Sequence, residues 1–375
     1  MKKKLLYVVN ADWFFFSHRL NLAHRAIEEG YEVHLLTNVS SISDDNKKGI
    51  KVHHFPFTRL GVNFFREIYA VVKLHNEIKR IQPDIVHLVT LKPIIYVGLI
   101  SLITPFNSVV IAISGMGFLF TSKNNIFFSF LSRIILILIR KIVTKNNSKI
   151  IFQNRYDQAL ILKDKKSLLK KSVLIQGVGV KVNNKSYQEE AVRKEISVVM
   201  ASRLLKDKGV IEFFEAAEII SDIRGDVKFT VAGDIDLGNP NSLTQLEFDD
   251  MRKHKFINFL GHVSDMDKLF EESNIVVLPS YREGFPKVLM EAASNSKPSI
   301  TADVPGCSEA VKHNVTGLLV PPKNTQALVE AIVYLLDNSE TRKEMGKQAF
   351  LRAKEKFDEE KIIHQQLEVY KELLG

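Results

Sequence analysis

Short apolar runs alternate with amphipathic segments along the first half of the chain. The apolar runs predict buried strands at 5–10, 31–37, 51–56, 85–89, 109–114, 150–153 and 173–175. The segments between them predict helices, of which 18–29 and 66–81 have the clearest pattern. Strands that are rich in Val and Ile and separated by helices are typical of βαβ units, so we expect a parallel sheet with helices on both faces.

The second half repeats this plan. Its predicted strands are 196–201, 228–232, 257–260, 275–279 and 299–301, and its clearest helices are 210–220 and 327–336. The polar stretch 181–193 predicts a linker. We therefore expect an α/β fold of two Rossmann-like, doubly wound domains, 1–182 and 183–358, facing across a cleft. Folds of this kind bind ligands at the carboxyl ends of their strands.

The run 126–143 is apolar enough to raise the question of a membrane. Arg133, near its middle, opposes a transmembrane span by roughly 2.5–3.5 kcal/mol. Two interpretations remain open: a core helix of the first domain, or a helix on the bilayer surface with basic residues at the headgroups. In the second interpretation three aromatic side chains enter the bilayer, namely Phe127, Phe128 and Phe130.

Charge is distributed unevenly between the halves. Residues 1–184 hold 27 Lys/Arg and 11 Asp/Glu, and residues 185–375 hold 25 and 32, so the net charge of +9 divides into +16 and −7. A basic half suits an anionic bilayer, a phosphorylated substrate or nucleic acid. Lysine-rich composition without any such partner is the alternative, and no nucleic-acid-binding motif is recognisable.

Two features bear on the compartment. The chain has one cysteine, Cys307, so an intrachain disulfide is excluded, which fits a reducing compartment. The lysines at 2–4 precede an apolar run of only five residues, 5–9, which is too short for a secretion signal and predicts a first strand instead.

The clearest chemical motif is a pair of glutamates, Glu283 and Glu291, that follows the strand 275–279. Pro286 suits the first turn of a helix, which places Glu291 roughly two turns into that helix. Eight residues of helical rise span about 12 Å, the reach from a sugar across a diphosphate to a ribose. Carboxylates accept hydrogen bonds from such hydroxyl groups. Backbone amides at the helix start can meet further oxygens, and they belong to Gly284, Phe285 and Lys287.

A second motif contains two cations. Arg203 ends the strand 196–201, and Lys208 precedes the helix that begins near 210. Two cations beside a helix N-terminus can hold a diphosphate. They can also stabilise the charge that develops on a leaving diphosphate without a metal ion. Asp234 and Asp236 have Asp-x-Asp spacing, but the pair departs from metal-ligand loops and predicts a strand-end turn, so we expect no metal and no cofactor.

These motifs resemble the retaining glycosyltransferases of family 4, which have the GT-B architecture. In the second half the resemblance rests on Arg203 with Lys208, Ala232-Gly233-Asp234, Phe259-Leu260-Gly261, the stretch 279–291, Pro305-Gly306-Cys307 with Glu309, and 317–322. In the first half it rests on 113–118 and 152–157, which are similar to enzymes that build bacterial surface polysaccharides on lipid carriers. The first loop, 10–19, departs from the family because it has no glycine pair.

The resemblance implies roles for the matched residues. Arg203 and Lys208 bind the donor diphosphate, Glu291 binds the ribose, and Glu283 with the following amides holds the donor sugar. Gly233 and Pro286 belong to the same donor site. The resemblance also implies that domain 1–182 binds the acceptor, that 183–358 binds the nucleotide sugar, and that a helix at about 359–375 returns to the first domain.

The acceptor side is less defined. Asp12, His18 and Arg19 follow the first strand and are candidates there. Lys92 follows the strand 85–89, and Ser114 stands where several members of the family have a histidine. For His18 and Asp12, a purely structural role is an equal alternative. His87 lies inside a strand, and we expect it to be structural.

The sequence thus predicts a glycosyltransferase that moves a hexose or N-acetylhexosamine with retention of configuration. We expect a UDP-sugar as donor, GDP-mannose being the alternative, and a polyprenyl-diphosphate saccharide as acceptor. We expect the protein in the cytoplasm, on the inner, anionic face of the cytoplasmic membrane, without nucleic acid as a partner. The alternatives are a sugar-nucleotide epimerase of the same architecture and a noncatalytic sugar-nucleotide-binding protein.

Overall fold

The computed structural model describes residues 2–39, 48–57, 64–115, 126–145, 147–163, 166–182, 185–190 and 194–375. The side chains of 64, 126–131, 145, 166 and 167 fall outside this description. The chain divides into two units: unit 1 contains 1–178 and 362–375, and unit 2 contains 179–361.

Unit 1 contains a parallel sheet. Among the described residues its strands are β1 (Lys4–Val8), β2 (Glu32–Thr37), β3 (Ile50–His54), β4 (Ile85–Leu88), β5 (Ser108–Ile113), β6 (Asn147–Phe152) and β7 (Ser172–Leu174). They are arranged in the order β3-β2-β1-β4-β5-β6-β7, and every adjacent pair is parallel. This is the order of a doubly wound sheet, in which the connections reverse direction between β1 and β4.

Helices cover both faces of this sheet. They are α1 (Asp12–His18), α2 (Leu20–Glu28), α3 (Phe64–Ile81), α4 (Leu91–Ile100), α5 (Ile126–Lys145), α6 (Arg155–Leu162) and α7 (Lys166–Leu169), with α15 (Glu359–Leu374) at the end of the chain. Buried side chains of α3, α4 and α5 pack with one face of the sheet. Those of α1, α2 and α15 pack with the other, so α15 returns to unit 1 as predicted.

Unit 2 has the same architecture. Among the described residues its strands are β8 (Ile196–Ala201), β9 (Val227–Ala232), β10 (Ile257–Gly261), β11 (Ile275–Leu278), β12 (Ser299–Ala302) and β13 (Gly317–Val320), in the order β10-β9-β8-β11-β12-β13. Its helices are α8 (Val210–Ile223), α9 (Gln245–Met251), α10 (Met266–Glu271), α11 (Lys287–Ser294), α12 (Cys307–Ala310), α13 (Thr325–Asp337) and α14 (Ser339–Arg352). The prediction of two Rossmann-like domains with parallel sheets is confirmed.

The segment after β1 differs from its prediction. We expected a loop at 10–19, but residues 12–18 form α1. Its aromatic run has no period that marks one apolar face, so the local pattern does not predict a helix. Phe15 is fully buried and lies edge-on against Tyr7, with ring centroids 5.3 Å apart, so tertiary packing stabilises this helix.

The apolar run at 126–143 forms most of α5. From residue 132 onward its described side chains include buried members of the core, such as Ile135 and Ile139, and exposed ones, such as Arg133 and Ile137. No helix in the described part of the chain has the length and apolarity needed to cross a bilayer. The three phenylalanines at 127, 128 and 130 lie outside the described side chains, so their proposed contact with a bilayer stays a prediction.

Buried polar groups join α15 to the sheet of unit 1. The hydroxyl of Tyr370 lies 2.6 Å from Nδ1 of His87 and 3.0 Å from the hydroxyl of Tyr7. All three side chains are fully buried. Burial lowers the pKa of His87 well below its usual value, with the nearby Arg19 cation acting in the same direction. His87 is therefore neutral in the folded protein.

This neutral histidine predicts a loss of stability in mild acid. Unfolding frees His87 to bind a proton below its ordinary pKa of about 6.5, so the unfolded state takes up more protons and the free energy of unfolding falls as the pH drops. One such group lowers the free energy of unfolding by at most about 1.4 kcal/mol for each pH unit. We expect the free energy of unfolding, measured with urea between about pH 7 and pH 5, to change less with pH in His87→Gln than in the parent protein. Equal slopes in the two proteins would contradict the assignment.

Candidate active site

The candidate site lies at the carboxyl edge of the sheet in unit 2. β8 and β11 are neighbours there, although β9 and β10 lie between them in the sequence. The direction of the connections reverses at this point, which is where doubly wound sheets bind ligands. The loop after β8 carries Arg203 and Lys208, and the loop after β11 carries Glu283. Both predicted motifs therefore reach the same edge.

The two cations in the loop after β8 have different partners. Residues Lys206–Lys208 form a single 3₁₀ turn, and Gly209 follows in the left-handed conformation before α8 begins. The guanidinium of Arg203 donates a hydrogen bond of 2.7 Å to Oδ2 of Asp236, in the loop after β9. Arg203 keeps almost half of its side chain exposed, so it remains accessible to a ligand.

Glu283 is held from two sides. Its Oε1 accepts a hydrogen bond of 2.8 Å from the hydroxyl of Ser280, and Nζ of Lys208 lies 2.5 Å from the same oxygen. The carboxylate is largely buried, and Ser280 is fully buried. Because both bonds use Oε1, the orientation of the carboxylate is fixed, with Oε2 left to meet other groups.

Two further contacts tie the loops of β8 and β11 together. The backbone N–H of Tyr281 donates to the carbonyl of Asp207 over 2.9 Å. The hydroxyl of Tyr281 donates to Oε1 of Glu212, in α8, over 2.6 Å. Burial raises the pKa of Tyr281, and the adjacent Glu212 carboxylate raises it further, so the hydroxyl keeps its proton and remains a donor. These bonds set the spacing between the two motifs.

Glu291 lies in α11. This helix begins at Lys287, with Pro286 as the residue before it, so Pro286 does not lie in the first turn. Glu291 is consequently the fifth helical residue, a little more than one turn into α11 and not two. Its carboxylate pairs with Lys287 one turn earlier, over 3.0 Å. No side chain caps the N-terminus of α11 within the described residues, so its first amides can serve a ligand.

Two glycines allow backbone segments to pack closely together beside the site. A Cβ at Gly306, which has a φ of +83°, would lie 2.6 Å from the carbonyl oxygens of both Glu283 and Gly284. A Cβ at Gly233, with a φ of +143°, would lie 1.9 Å from the carbonyl oxygen of Ser202. Glycine is therefore required at both positions. The ring of Phe285 is buried against Phe357, with centroids 5.5 Å apart, so Phe285 can offer a ligand only its backbone.

The charges of the site compensate each other in this structure. Arg203 pairs with Asp236, Lys208 with Glu283, and Lys287 with Glu291. A diphosphate would compete for the cations, because phosphate oxygens form strong charge-assisted hydrogen bonds with Lys and Arg. The carboxylates released in this way could accept hydrogen bonds from hydroxyl groups of the same ligand.

Sequence reasoning missed several residues of this arrangement. It interpreted Asp236 as part of a strand-end turn, and it assigned no role to Ser280, Tyr281 or Glu212. The position of Ser280, three residues before Glu283 and directly after a strand, was the only available signal. The contacts of Asp236 and Glu212 join distant segments and leave no local pattern.

The acceptor-side candidates lie in unit 1. Asp12 is buried at the start of α1, where Oδ1 accepts the N–H of Trp13 over 2.7 Å. The ring of His18 stacks on Phe14, and its Nδ1 lies 2.6 Å from the hydroxyl of Ser17. These contacts hold both side chains within the segment that follows β1.

The other three candidates differ from one another in burial and in their contacts. Arg19 is only 2% exposed, and burial lowers its pKa. Lys92 pairs with Glu67 over 2.9 Å. Ser114 directly follows β5 and is half-buried. The functional roles of all five candidates remain predictions. Among the described residues, no group of three or more His, Cys, Asp or Glu side chains is arranged to hold a metal ion.

Two family models match the chain. Residues 182–352 match the model described as glycosyl transferases group 1, and residues 4–154 match the one described as glycosyl transferase 4-like. The cations and carboxylates of the site in unit 2 lie within the first of these ranges, and the five acceptor-side candidates lie within the second.

Among curated proteins, the chain is similar to two bacterial enzymes that act on undecaprenol-linked sugars. It is 35% identical over 179 residues to the N,N'-diacetylbacillosaminyl-diphospho-undecaprenol alpha-1,3-N-acetylgalactosaminyltransferase of Campylobacter jejuni, over 48% of this chain and 45% of the relative. It therefore spans less than half of that relative's length. It is 22% identical over 322 residues to the UDP-Gal:alpha-D-GlcNAc-diphosphoundecaprenol alpha-1,3-galactosyltransferase of Escherichia coli, over 83% of this chain and 81% of the relative.

Among solved structures, the chain resembles Anabaena HepE in complex with UDP and glucose. The TM-score is 0.76 at 18% identity, over 98% of this chain and 99% of that one. At this level of identity the likeness concerns the fold, which is that of the GT-B glycosyltransferases.

Proposed function

We propose that this chain, in which a glycosyl transferase 4-like domain precedes a glycosyl transferases group 1 domain, is a retaining, metal-independent glycosyltransferase. It moves a hexose or N-acetylhexosamine from a UDP-sugar to a polyprenyl-diphosphate-linked saccharide. It works as a peripheral protein on the inner face of the cytoplasmic membrane, in the synthesis of a polysaccharide such as a capsule or an O-antigen.

One observation carries this proposal. Two cations in the loop after β8, Glu283 in the loop after β11 and Glu291 in the helix that follows lie at the carboxyl edge of one sheet, at its reversal point. A nucleoside-diphosphate sugar presents charges and hydroxyls in a matching order, with anionic phosphates between two sets of hydroxyl groups. Cations suit the phosphates and carboxylates suit the hydroxyls.

Each residue then has a defined task. Arg203 and Lys208 hold the two phosphates, and the free amides at the start of α11 add donors to them. Glu291 accepts hydrogen bonds from the hydroxyl groups of the ribose. Lys208 exchanges its ion pair with Glu283 for one with the phosphate. Glu283 keeps its hydrogen bond from Ser280 and accepts hydrogen bonds from hydroxyl groups of the donor sugar.

The chemical step follows from this placement. As the bond from the sugar to the diphosphate lengthens, negative charge grows on the leaving phosphate. Arg203 and Lys208 stabilise that charge more strongly in the transition state than in the bound donor. The acceptor hydroxyl attacks from the side on which the diphosphate leaves, and the leaving phosphate takes its proton. This front-face route gives retention and needs no pair of catalytic carboxylates.

Two observations support the acceptor and the membrane. The names of the Campylobacter and Escherichia relatives both specify undecaprenol-diphosphate sugars. The first half of this chain carries +16, which attracts an anionic surface. A lipid-linked acceptor stays in the bilayer, so an enzyme that extends it must work at that surface.

A panel of nucleotide sugars tests the proposal. Each is offered with extracted lipid-linked saccharides, and the products are identified by mass spectrometry. We expect a mass increase of one hexose or N-acetylhexosamine on the lipid-linked acceptor, with release of UDP. Isomerised free UDP-sugar would indicate an epimerase instead, and binding without turnover would indicate a noncatalytic protein.

Metal independence has its own test. Activity should be unchanged in an excess of a strong chelator, because Arg203 and Lys208 supply the positive charge that a metal supplies elsewhere. Turnover with and without chelator measures this directly. Loss of activity in chelator that manganese restores would contradict the expectation.

A further inference from the structure

The helix α3 has an apolar outer face. Phe65, Ile68, Tyr69 and Val72 are spaced three, one and three residues apart, which places them together on one side of the helix. They are 47–80% exposed. The opposite side of α3 is occupied by the core, which includes Leu74, Ile78 and Ile81. We call the four exposed residues the outer face of α3.

The charges around the outer face of α3 are positive. Arg66 and Lys73 lie in or next to the same turns as this face, and Lys79 and Arg80 lie about two turns further along the helix. The two acids of the helix are engaged in ion pairs: Glu67 with Lys92 of α4 over 2.9 Å, and Glu77 with Arg80 over 2.6 Å. Glu67 also accepts a hydrogen bond from the hydroxyl of Tyr96. Both acids of α3 are thus paired, and the helix carries two more basic than acidic residues.

The position of this face is set by the topology. α3 follows β3 in a parallel sheet, so its first turns lie at the carboxyl edge of unit 1. The ion pair between Glu67 and Lys92 joins those turns to the start of α4 at the same edge. This is the edge at which a doubly wound sheet binds ligands, and Lys92 is one of the residues predicted for the acceptor.

We infer that the outer face of α3 is the surface by which this protein lies on an anionic lipid bilayer, its four apolar side chains entering the headgroup region and its cations meeting lipid phosphates. This inference rests on the proposed function, because it explains how the enzyme reaches a lipid-linked acceptor. An apolar stripe bordered by basic residues is the pattern of a helix that lies in a membrane interface.

The charges favour a bilayer over a second copy of the chain. A twofold contact brings the same patch from both copies together. Arg66 and Lys73, next to the outer face of α3, would then approach the same two residues of the second copy, and such like-charge contacts are costly. Each of these basic residues would instead be attracted to an anionic bilayer surface.

Vesicle sedimentation tests the inference with the full chain. The vesicles contain phosphatidylglycerol and phosphatidylcholine, and a second set contains phosphatidylcholine alone. Phe65→Ser combined with Tyr69→Ser should lower the partition onto anionic vesicles about tenfold or more, because two large apolar side chains no longer enter the interface. Lys79→Gln should lower it less and make it less sensitive to salt.

A matched control is available in the same unit. Leu102 and Ile103 are also exposed, but they follow α4 at the opposite edge of the sheet. The double serine variant at these positions should partition like the parent protein. Equal binding by parent and Phe65→Ser/Tyr69→Ser would overturn the inference, and so would a parent that binds no anionic vesicles. Loss of binding that accompanies a change from dimer to monomer in sedimentation velocity would assign the face to a second copy and also overturn it.

A second measurement does not depend on removing side chains. The chain has one tryptophan, Trp13, so the fluorescence of the parent protein with the same lipids is measured and subtracted. Brominated lipids should quench the additional fluorescence of Tyr69→Trp but not that of Ile103→Trp. Quenching of both or of neither would overturn the inference. Transfer of sugar to a detergent-solubilised acceptor is measured in the same proteins, so a failure of the proposed enzyme activity is seen separately from a failure of the lipid contact.

Discussion

Replacing Lys208 with alanine is expected to lower kcat by about 10²–10³, the loss that follows when one donor to a developing negative charge is removed. Lys208 is close enough to Glu283 to orient that carboxylate before the donor binds, and it meets the diphosphate afterwards. Steady-state turnover of the UDP-sugar with its acceptor measures the loss. Binding of UDP should change less than kcat, because the charge on the phosphate is largest in the transition state.

Lys206 provides the control for this variant. It lies in the same turn, two residues away, and pairs with Glu247 over 2.6 Å on the side of α9. Lys206→Ala should keep kcat close to that of the parent protein. If both variants lost activity equally, the turn as a whole would matter and the specific role of Lys208 would be wrong.

Replacing Glu291 with alanine is expected to weaken UDP binding by about 10- to 100-fold. A hydrogen bond to a charged group contributes roughly 1.5–3 kcal/mol, and 1.4 kcal/mol corresponds to a factor of ten. Titration calorimetry with UDP measures the change. Glu291 is partly exposed on α11, so its removal leaves the core intact and the melting temperature should stay near that of the parent protein.

Two further variants separate ribose recognition from simple charge. Glu291→Gln keeps an acceptor oxygen and should retain part of the affinity. Lys287→Ala removes the partner of Glu291 without removing the acceptor. An affinity for UDP that stayed within twofold of the parent in Glu291→Ala would rule out the ribose contact.

The sheets were predictable because their strands are short runs of Val and Ile. β8 was predicted with its observed bounds, and the same pattern identified the other described strands of both units except β13. β13 was not counted among the strands, since its four residues include a glycine and no β-branched residue until Val320. α1 was missed because aromatic packing against Tyr7, which the local pattern does not contain, stabilises it.

The sequence predicted the individual charged residues of the site but not the ion pairs that join them. The residues Arg203, Lys208, Glu283 and Glu291 were each identifiable from their position after a strand or in a helix. Their ion pairs were not, because Lys208 and Glu283 are separated by 75 residues and Arg203 and Asp236 by 33. Such contacts depend on which strands become neighbours, and the order of a sheet has no local signature.

The packing of α15 has a consequence for the order in which the protein is made. The core on one face of the unit 1 sheet includes Ile362, Leu367 and Tyr370, so the first 178 residues cannot bury the apolar surface of that face when they leave the ribosome. They must wait until all of unit 2 has been translated. Unit 2 is free to fold during that interval, because its own core is continuous in the sequence. A recombinant fragment that stops at residue 178 would keep that apolar surface exposed, whereas a fragment of 179–361 retains its core.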